Sequence, residues 1–223
     1  MRIGFDAKRA FFNNTGLGNY SRNTIKQLLS FYPENEYLLY TPKKNFKINF
    51  DYGKAKCIYP KTFTGQVFSS WWRSFLINSQ LDADKLDIYH SLSNEIPFGS
   101  ENLKLKRVVS IHDLIFMRYP DLYKTFDRKM YYKKFLYASQ KADKVIAVSE
   151  QTKNDIMEFF KIPKEKIEVI YQSCNPLFFK EPDLNYINNI KEKYKLPDSF
   201  ILYVGTIEER KNLLSLIKAL VLN

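Results

Sequence analysis

The sequence predicts an α/β fold built on a parallel sheet with helices on both faces, and three observations carry that expectation. Short strands rich in Val and Ile alternate with longer segments of helical period, the pattern of a sheet whose two faces are both covered. At 223 residues and 45% hydrophobic content, the chain can bury a sizeable core. A proline-flanked break, Pro176 to Pro182, interrupts the alternation once, after which a second strand-and-helix pattern begins.

The elements follow in order. Arg2–Asp6 is a first apolar strand, and Leu17–Phe31 is a helix by the spacing of Leu17, Tyr20, Ile25, Leu28 and Leu29. Tyr37–Tyr40 and Cys57–Tyr59 are short strands separated by a polar loop. Val67–Ile77 reads as a helix, with strands next at Asp87–His90 and Arg107–Ile111. A long helix of basic and aromatic residues covers Thr125–Ala142, and Lys144–Val148 is the following strand. Ser149 then caps a helix through Phe160, because its hydroxyl can accept a backbone N–H that the first turn leaves unpaired. Ile167–Tyr171 closes this half. The expected division is therefore 1–182 for a first domain, and 183–223 for a linker and the truncated start of a second. There Phe200–Val204 reads as a buried strand running into Gly205, with Arg210 and Lys211 opening a helix.

Composition excludes several classes. Cys57 and Cys174 show no pairing pattern and read as free thiols of a reducing compartment. The apolar run at Met1–Asp6 is too short for a signal peptide, and no segment approaches the ~20 apolar residues of a membrane span. A cytoplasmic protein is expected, with peripheral attachment to the inner membrane face left open. The formal charge is +11. Lys104, Lys106 and Arg107 cluster, as do Arg128, Lys129, Lys133 and Lys134 beside Tyr131, Tyr132 and Tyr137. Each cluster reads either as a solvated face or as a contact for an anionic partner, a lipid surface or a phosphate-bearing substrate. Nucleic acid is not expected as a partner, since zinc-finger spacing, a helix-turn-helix signal and a ribonucleoprotein-type aromatic motif are all missing. No Gly-x-Ser-x-Gly elbow or phosphate-binding loop ending in Gly-Lys-Ser/Thr occurs. Two distant histidines without ligand-spaced neighbours make no zinc site. Asp82-Ala-Asp84 has the two-carboxylate form of a cation site but precedes a strand in a polar segment, so it reads as a solvated loop and no metal is expected.

In a parallel sheet, ligands bind beyond the carboxyl ends of the strands. Asn14-Thr-Gly16-Leu17-Gly18-Asn-Tyr20 follows the first strand and opens the first long helix, where glycines let backbone amides approach a phosphate. It is not a dinucleotide fingerprint, because Ser21 stands where the third glycine belongs, and a plain tight turn is equally consistent. The two histidines in the chain, His90 and His112, each fall at a strand's carboxyl end. Each is open to a structural or a catalytic role. In the last stretch, strand, Gly205, Arg210, Lys211 and helix start are the parts of a diphosphate site.

Thr15-Gly16-Leu-Gly18-Asn-Tyr20, Tyr89-His90-Ser-Leu-Ser-Asn94-Glu95-Ile-Pro97, Ile111-His112-Asp113-Leu, Ala147-Val-Ser149-Glu150-Gln-Thr152-Lys153 and Val204-Gly205-Thr-Ile-Glu-Glu-Arg210-Lys211-Asn212 occur in that order. Together they resemble the family-four retaining glycosyltransferases of the GT-B fold, bacterial mannosyltransferase-like enzymes of polysaccharide assembly being the nearest group. The resemblance covers essentially the whole chain. It implies two facing Rossmann-like domains, the first mainly for the acceptor and the second for a nucleotide-diphosphate sugar. Gly16, Leu17 and Gly18 match the loop near the donor diphosphate. His112 matches the histidine beside the transferred sugar, and Lys211 with Arg210 matches the basic position that balances the leaving diphosphate. His90, Asn94, Glu95, Asp113, Gly205 and Thr206 fall within the matching motifs as substrate-binding candidates. Many members carry arginine where this chain has Thr206, so Arg210 is the candidate substitute.

The implied reaction is front-face transfer of a sugar, with mannose as the candidate, to a saccharide or lipid-linked acceptor with retention. It needs fixed donors and cations at the phosphates, with no metal or other cofactor. The acidic motif that holds donor sugar and ribose lies further along such a second domain, so the 223 residues alone are expected to be inactive. The alternatives are a non-catalytic acceptor-binding module that needs a partner chain, and a sugar-nucleotide epimerase of the same architecture. Finally, Val67, Phe68, Trp71, Trp72, Phe75 and Leu76 form one apolar stripe, which belongs either to the core or, through its indoles, to a lipid headgroup layer.

Overall fold

The computed structural model describes residues 1–221, the side chain of Phe63 excepted. Among them, seven strands form one all-parallel sheet: β1 (Arg2–Asp6), β2 (Glu36–Tyr40), β3 (Lys56–Ile58), β4 (Ile88–Ser91), β5 (Lys106–Ile111), β6 (Lys144–Ala147) and β7 (Ile167–Val169). Their spatial order is β3-β2-β1-β4-β5-β6-β7. The chain winds outward one way from β1 and the other way from β4, so the direction switches between those two strands. There Phe5 lies opposite Leu39 on one side and His90 on the other. The segments leaving β1 and β4 therefore diverge, and the crevice between them is where such sheets take ligands.

Helices α1 (Lys8–Phe12) and α2 (Gly16–Phe31) follow β1. Phe5, Phe11, Ile25, Tyr37 and Leu39 are buried in one cluster there, and the Phe11 ring stacks 3.9 Å from Phe46. A second cluster joins Leu38, Tyr40 and Tyr89 to Trp72, Ile77 and Leu81. A third joins β5, β6 and β7 to later helices through Val109, Ile111, Ala138, Val145, Ile156 and Phe160.

The segment between β3 and β4 is not the single helix expected at Val67–Ile77. It comprises α3 (Phe63–Val67), α4 (Ser69–Trp71), a π-helical turn (Trp72–Leu76) and α5 (Asn78–Ala83). Thr62 caps α3 by accepting from the Gly65 amide, and Phe68, at φ −100° and ψ 64°, breaks the helix before the two serines. The wider π turn then divides the tryptophans. Trp72 is 2% exposed and Trp71 57%. Asp82-Ala-Asp84 is likewise not a loop. Asp82 and Ala83 end α5, and Asp84 is its C-cap, accepting the Tyr40 hydroxyl at 2.7 Å.

Beyond β5 come α6 (Ile115–Arg118), α7 (Thr125–Lys141) and α8 (Glu150–Phe160). Ser149 caps α8 as expected, its Oγ accepting from the Thr152 amide at 3.1 Å. The last strand stops at Val169, short of Tyr171, after which only the Ile170 amide still bonds to Ala147.

The chain divides into two units, Met1–Ser173 and the residues from Cys174 onward. In the second, α9 (Leu184–Tyr194) is capped by Asp183, and α10 spans Leu213–Val221. The expected buried strand at Phe200–Val204 is not formed. No strand is assigned there and all five residues are exposed, because a strand needs a paired neighbour and this unit supplies none among the described residues. Arg210 and Lys211 precede a helix and do not open one: Glu209–Lys211 is a 3-10 turn, and Asn212 turns the chain at φ 51° before α10. Among the described residues no helix is long and apolar enough to cross a membrane.

Candidate functional site

The carboxyl edge of the sheet begins with the turn between α1 and α2. Asn13 organises it: its Oδ1 accepts from the Thr15 amide (2.9 Å), the Thr15 hydroxyl (2.8 Å) and the Gly18 amide (3.1 Å). Arg22 braces the same turn by donating to the carbonyls of Ala10 and Asn13. Gly18 has a steric reason to be glycine, because a Cβ there would lie 1.7 Å from the Asn13 carbonyl oxygen. Gly16 has none, with nothing within 4 Å of its would-be Cβ. The Gly18 amide is engaged within the turn. The amides of Gly16 and Leu17, at the open end of the sixteen-residue α2, have no acceptor among the described residues. They are available to an anion.

His112 leaves β5 beside this turn. Its amide donates to Asn94 Oδ1 at 2.9 Å, and its carbonyl accepts from Thr152 Oγ1 at 3.0 Å. Asn94 can reach across because its backbone is left-handed, at φ 60°. The ring is held edge-on to Tyr20, with centroids 4.6 Å apart. Nε2 lies 2.9 Å from the Leu92 carbonyl, which can only accept, so Nε2 carries the proton and Nδ1 is an acceptor. Nδ1 has one long contact, 3.4 Å from Gln172 Nε2. Burial lowers the ring's pKa. The Leu92 bond and nearby Asp113 oppose that shift, and Arg9 adds to it. Asp113 itself is exposed and accepts from the Ile115 amide.

His90 is placed differently. Its ring is buried inside β4, with Nε2 2.9 Å from Ser110 Oγ, which in turn lies 2.8 Å from the Tyr20 hydroxyl. Burial, and secondarily the charge of His112, pushes its pKa down to about 4. It is a neutral member of a chain that positions Tyr20 against His112.

A partly buried ionic cluster adjoins these residues, and most of it escaped the sequence reading. Asp6, the last residue of β1, accepts from Arg73 Nε at 2.8 Å. Arg73 also pairs with Glu95, whose other oxygen takes Lys134 Nζ at 2.8 Å. Asp6 is 3% exposed. Breaking such a pair leaves a stranded charge, typically at a cost of about 3–5 kcal/mol. The available signal was Asp6-Ala-Lys8-Arg9, three charges at and just past the end of the first strand. The basic clusters seen in the sequence divide accordingly. Lys134 faces inward to Glu95, Lys129 and Lys133 are exposed, and Arg107 is tied to Asp143 at 2.6 Å.

Gly16, Leu17, Gly18, His90, Asn94, Glu95, His112 and Asp113 thus gather at one edge of the first unit. Gly205, Thr206, Arg210 and Lys211 share one exposed turn of the second. In that turn Thr206 Oγ1 and Arg210 Nε both bond Glu208, each at 2.6 Å. Lys211 has no carboxylate within 4.0 Å among the described residues.

A doubly wound parallel sheet with a switch point between β1 and β4 defines a Rossmann-like α/β class of protein. Residues 16–176 match Glycosyltransferase Family 4, and the chain belongs to that family. It is similar to the serotype-specific mannosyltransferase WbdA of Escherichia coli, at 30% identity over 132 residues, covering 58% of this chain and 16% of that protein. It is also similar to O-antigen chain mannosyltransferase B of Escherichia coli, at 28% identity, covering 59% of this chain and 34% of that protein. Among solved structures, sucrose-phosphate synthase from Thermosynechococcus elongatus shares the fold, with a TM-score of 0.67 at 16% identity over 99% of this chain and 59% of that one. The chain therefore spans about a third or less of the length of these two curated relatives.

Proposed function

We propose that this chain is the acceptor-side part of a retaining glycosyltransferase that moves a sugar, mannose first among candidates, from a nucleoside-diphosphate sugar to a saccharide or lipid-linked acceptor. The observation that carries the reading is His112: neutral, clamped through its backbone and ring, and packed on Tyr20 of the helix whose first amides, Gly16 and Leu17, have no acceptor among the described residues. Family membership and two mannosyltransferase relatives support the same class.

In this reading Nδ1 accepts from a hydroxyl of the transferred sugar. The amides of Gly16 and Leu17 supply fixed donors for charge growing on a departing diphosphate, and Arg210 and Lys211 are the second unit's own candidates for binding one. Such preorganised donors act where charge develops and do the work a bound metal does elsewhere, so transfer proceeds in the presence of a chelator. Asn94, Glu95 and Asp113 shape the acceptor side, and Gly205 and Thr206 belong to the donor turn. None of residues 174–221 is buried, so the donor turn lacks a packed frame, and these 223 residues alone transfer little or no sugar.

The test is transfer of labelled sugar from a panel of nucleoside-diphosphate sugars, by the chain alone and by a protein joining it to a complete donor-binding unit of the family. Anomeric configuration of the product is read by NMR. Retention with a mannose donor supports the reading. Inversion overturns it, and sugar interconversion without an acceptor favours an epimerase instead.

A second observation favours reversible contact with the membrane surface. Val67, Phe68, Trp71, Phe75 and Leu76 are exposed together, at 37–63%, while Trp72 fills the core. Indole and phenyl rings favour the headgroup layer, and exposed Lys129 and Lys133 add attraction to anionic lipid. Sedimentation with anionic and neutral liposomes at two salt concentrations tests this. Failure of folded protein to bind either kind overturns it.

A further inference from the structure

We propose that Lys8, Arg9, Arg73 and Lys134 form a phosphate-binding subsite in the first unit, which takes the phosphate or diphosphate group of the acceptor. The word acceptor rests on the transferase reading above, whereas the anion site does not.

The charge count leads there. Four cations surround two carboxylates, Asp6 and Glu95. Arg73 bonds both of them, and Lys134 takes the remaining Glu95 oxygen. Lys8 and Arg9 are left over. Neither side-chain cation has a carboxylate within 4.0 Å among the described residues, although the Lys8 amide donates to Asp6, and Arg9 Nε is buried with no hydrogen-bond partner among those residues. Half-buried cations that crowd one another are unfavourable unless an anion completes the set. Burial, then Arg73, lowers the pKa of Lys8, Arg9 and Lys134, and nearby Asp6 opposes that shift for Lys8 and Arg9 without cancelling it. A phosphate oxygen set matches this deficit, since it accepts from several charged donors and suits the fork of a guanidinium.

The position fits an acceptor group. Lys8 and Arg9 follow β1 and Glu95 follows β4, so the cluster sits at the switch-point crevice. The same elements also carry an aromatic row. Trp71, Phe75, Phe98 and Tyr137 stack in succession at 4.6, 5.1 and 4.5 Å. Arg73 shares a turn with Phe75, and Lys134 lies one turn from Tyr137 on α7. Cations on elements that also carry a row of rings, Trp71 and Phe75 exposed among them, suit a phosphate, whether it is borne by a lipid or by a soluble phosphorylated saccharide.

The test is calorimetric titration of the whole chain with inorganic pyrophosphate at low salt. A Lys8→Gln/Arg9→Gln double variant is expected to weaken binding at least about tenfold, since it removes two charge-assisted donors. A Lys129→Gln/Lys133→Gln variant, which removes equal charge from the exposed face of α7, is expected to change it less than about twofold. Lys8→Arg/Arg9→Lys is expected to keep binding and guards against misfolding of the first variant. Unchanged affinity in the Lys8/Arg9 double variant, or equal weakening by both double variants, overturns the proposal. Flotation with neutral vesicles containing a long-chain polyprenyl phosphate distinguishes the sources. Binding displaced by pyrophosphate assigns the subsite to a lipid-borne phosphate, whereas pyrophosphate binding without vesicle binding assigns it to a soluble one. No nucleotide sugar is present, so failure here leaves the transferase reading intact. Intact pyrophosphate binding without transfer counts only against that reading.

Discussion

At the scale of single residues, the two histidines show how far spacing carries. Their positions at strand ends were legible in the sequence, but their different roles were not, because those depend on neighbours distant along the chain. His112 meets Asn94 and Thr152, while His90 meets Ser110 inside the core. This gives a prediction with a definite sign. A folded pKa of about 4 means that the unfolded state binds more protons than the folded one between about pH 4 and the ordinary 6.5. Stability from His90 is therefore complete above pH 6.5 and falls as the pH drops through that window, by roughly 3 kcal/mol in all. Urea unfolding across pH 4–7 checks it, and His90→Gln should flatten the slope. The two glycines of the first turn also part company. Gly18→Ala places a methyl group against the Asn13 carbonyl and should cost at least about 2 kcal/mol, whereas Gly16→Ala should be nearly neutral. Thermal melts of the two variants separate them. From the sequence alone the two glycines read alike, since a close backbone approach leaves no mark on composition.

At the scale of elements, strands and long helices were readable because buried strands and one-sided helices have strong periods. The α8 start was readable from Ser149 alone. The segment before β4 was not, because its apolar stripe is compatible with one regular helix until Thr62, Phe68 and the π turn redirect it. The consequence can be measured. Trp72→Ala should destabilise the fold by about 3–5 kcal/mol, as large buried aromatics do, while Trp71→Ala should leave stability unchanged and reduce liposome binding. Chemical denaturation and sedimentation on the same two proteins check both halves. Phe200–Val204 failed for the opposite reason. Its residues favour a strand, but pairing is a property of a sheet and not of a segment.

At the scale of the whole molecule, the sheet explains why the candidate site was only half visible. The motifs of the first unit were found because each lies near the end of one of its strands, but the Asp6, Arg73, Glu95 and Lys134 network joins four separate stretches and has no linear signature. In an enzyme completed by a donor-binding unit, Lys211→Ala should lower turnover by at least about a hundredfold, by analogy with loss of one preorganised donor. Asp82→Ala should leave turnover near normal, and Asp84→Ala should cost only the stability of its Tyr40 bond. Initial rates with and without a chelator decide between this and a metal-held diphosphate. The pairing of Phe5 with His90 has one more consequence, for the order of events at the ribosome. β1 can find β2 early, but its other edge stays open until β4 has emerged, and synthesis runs at roughly 5–20 residues per second. For those seconds the nascent chain exposes an unpaired strand edge of the kind that invites aggregation. The crevice closes into shape only when β4 arrives, so nascent chains stalled before Ser91 should depend on chaperones most.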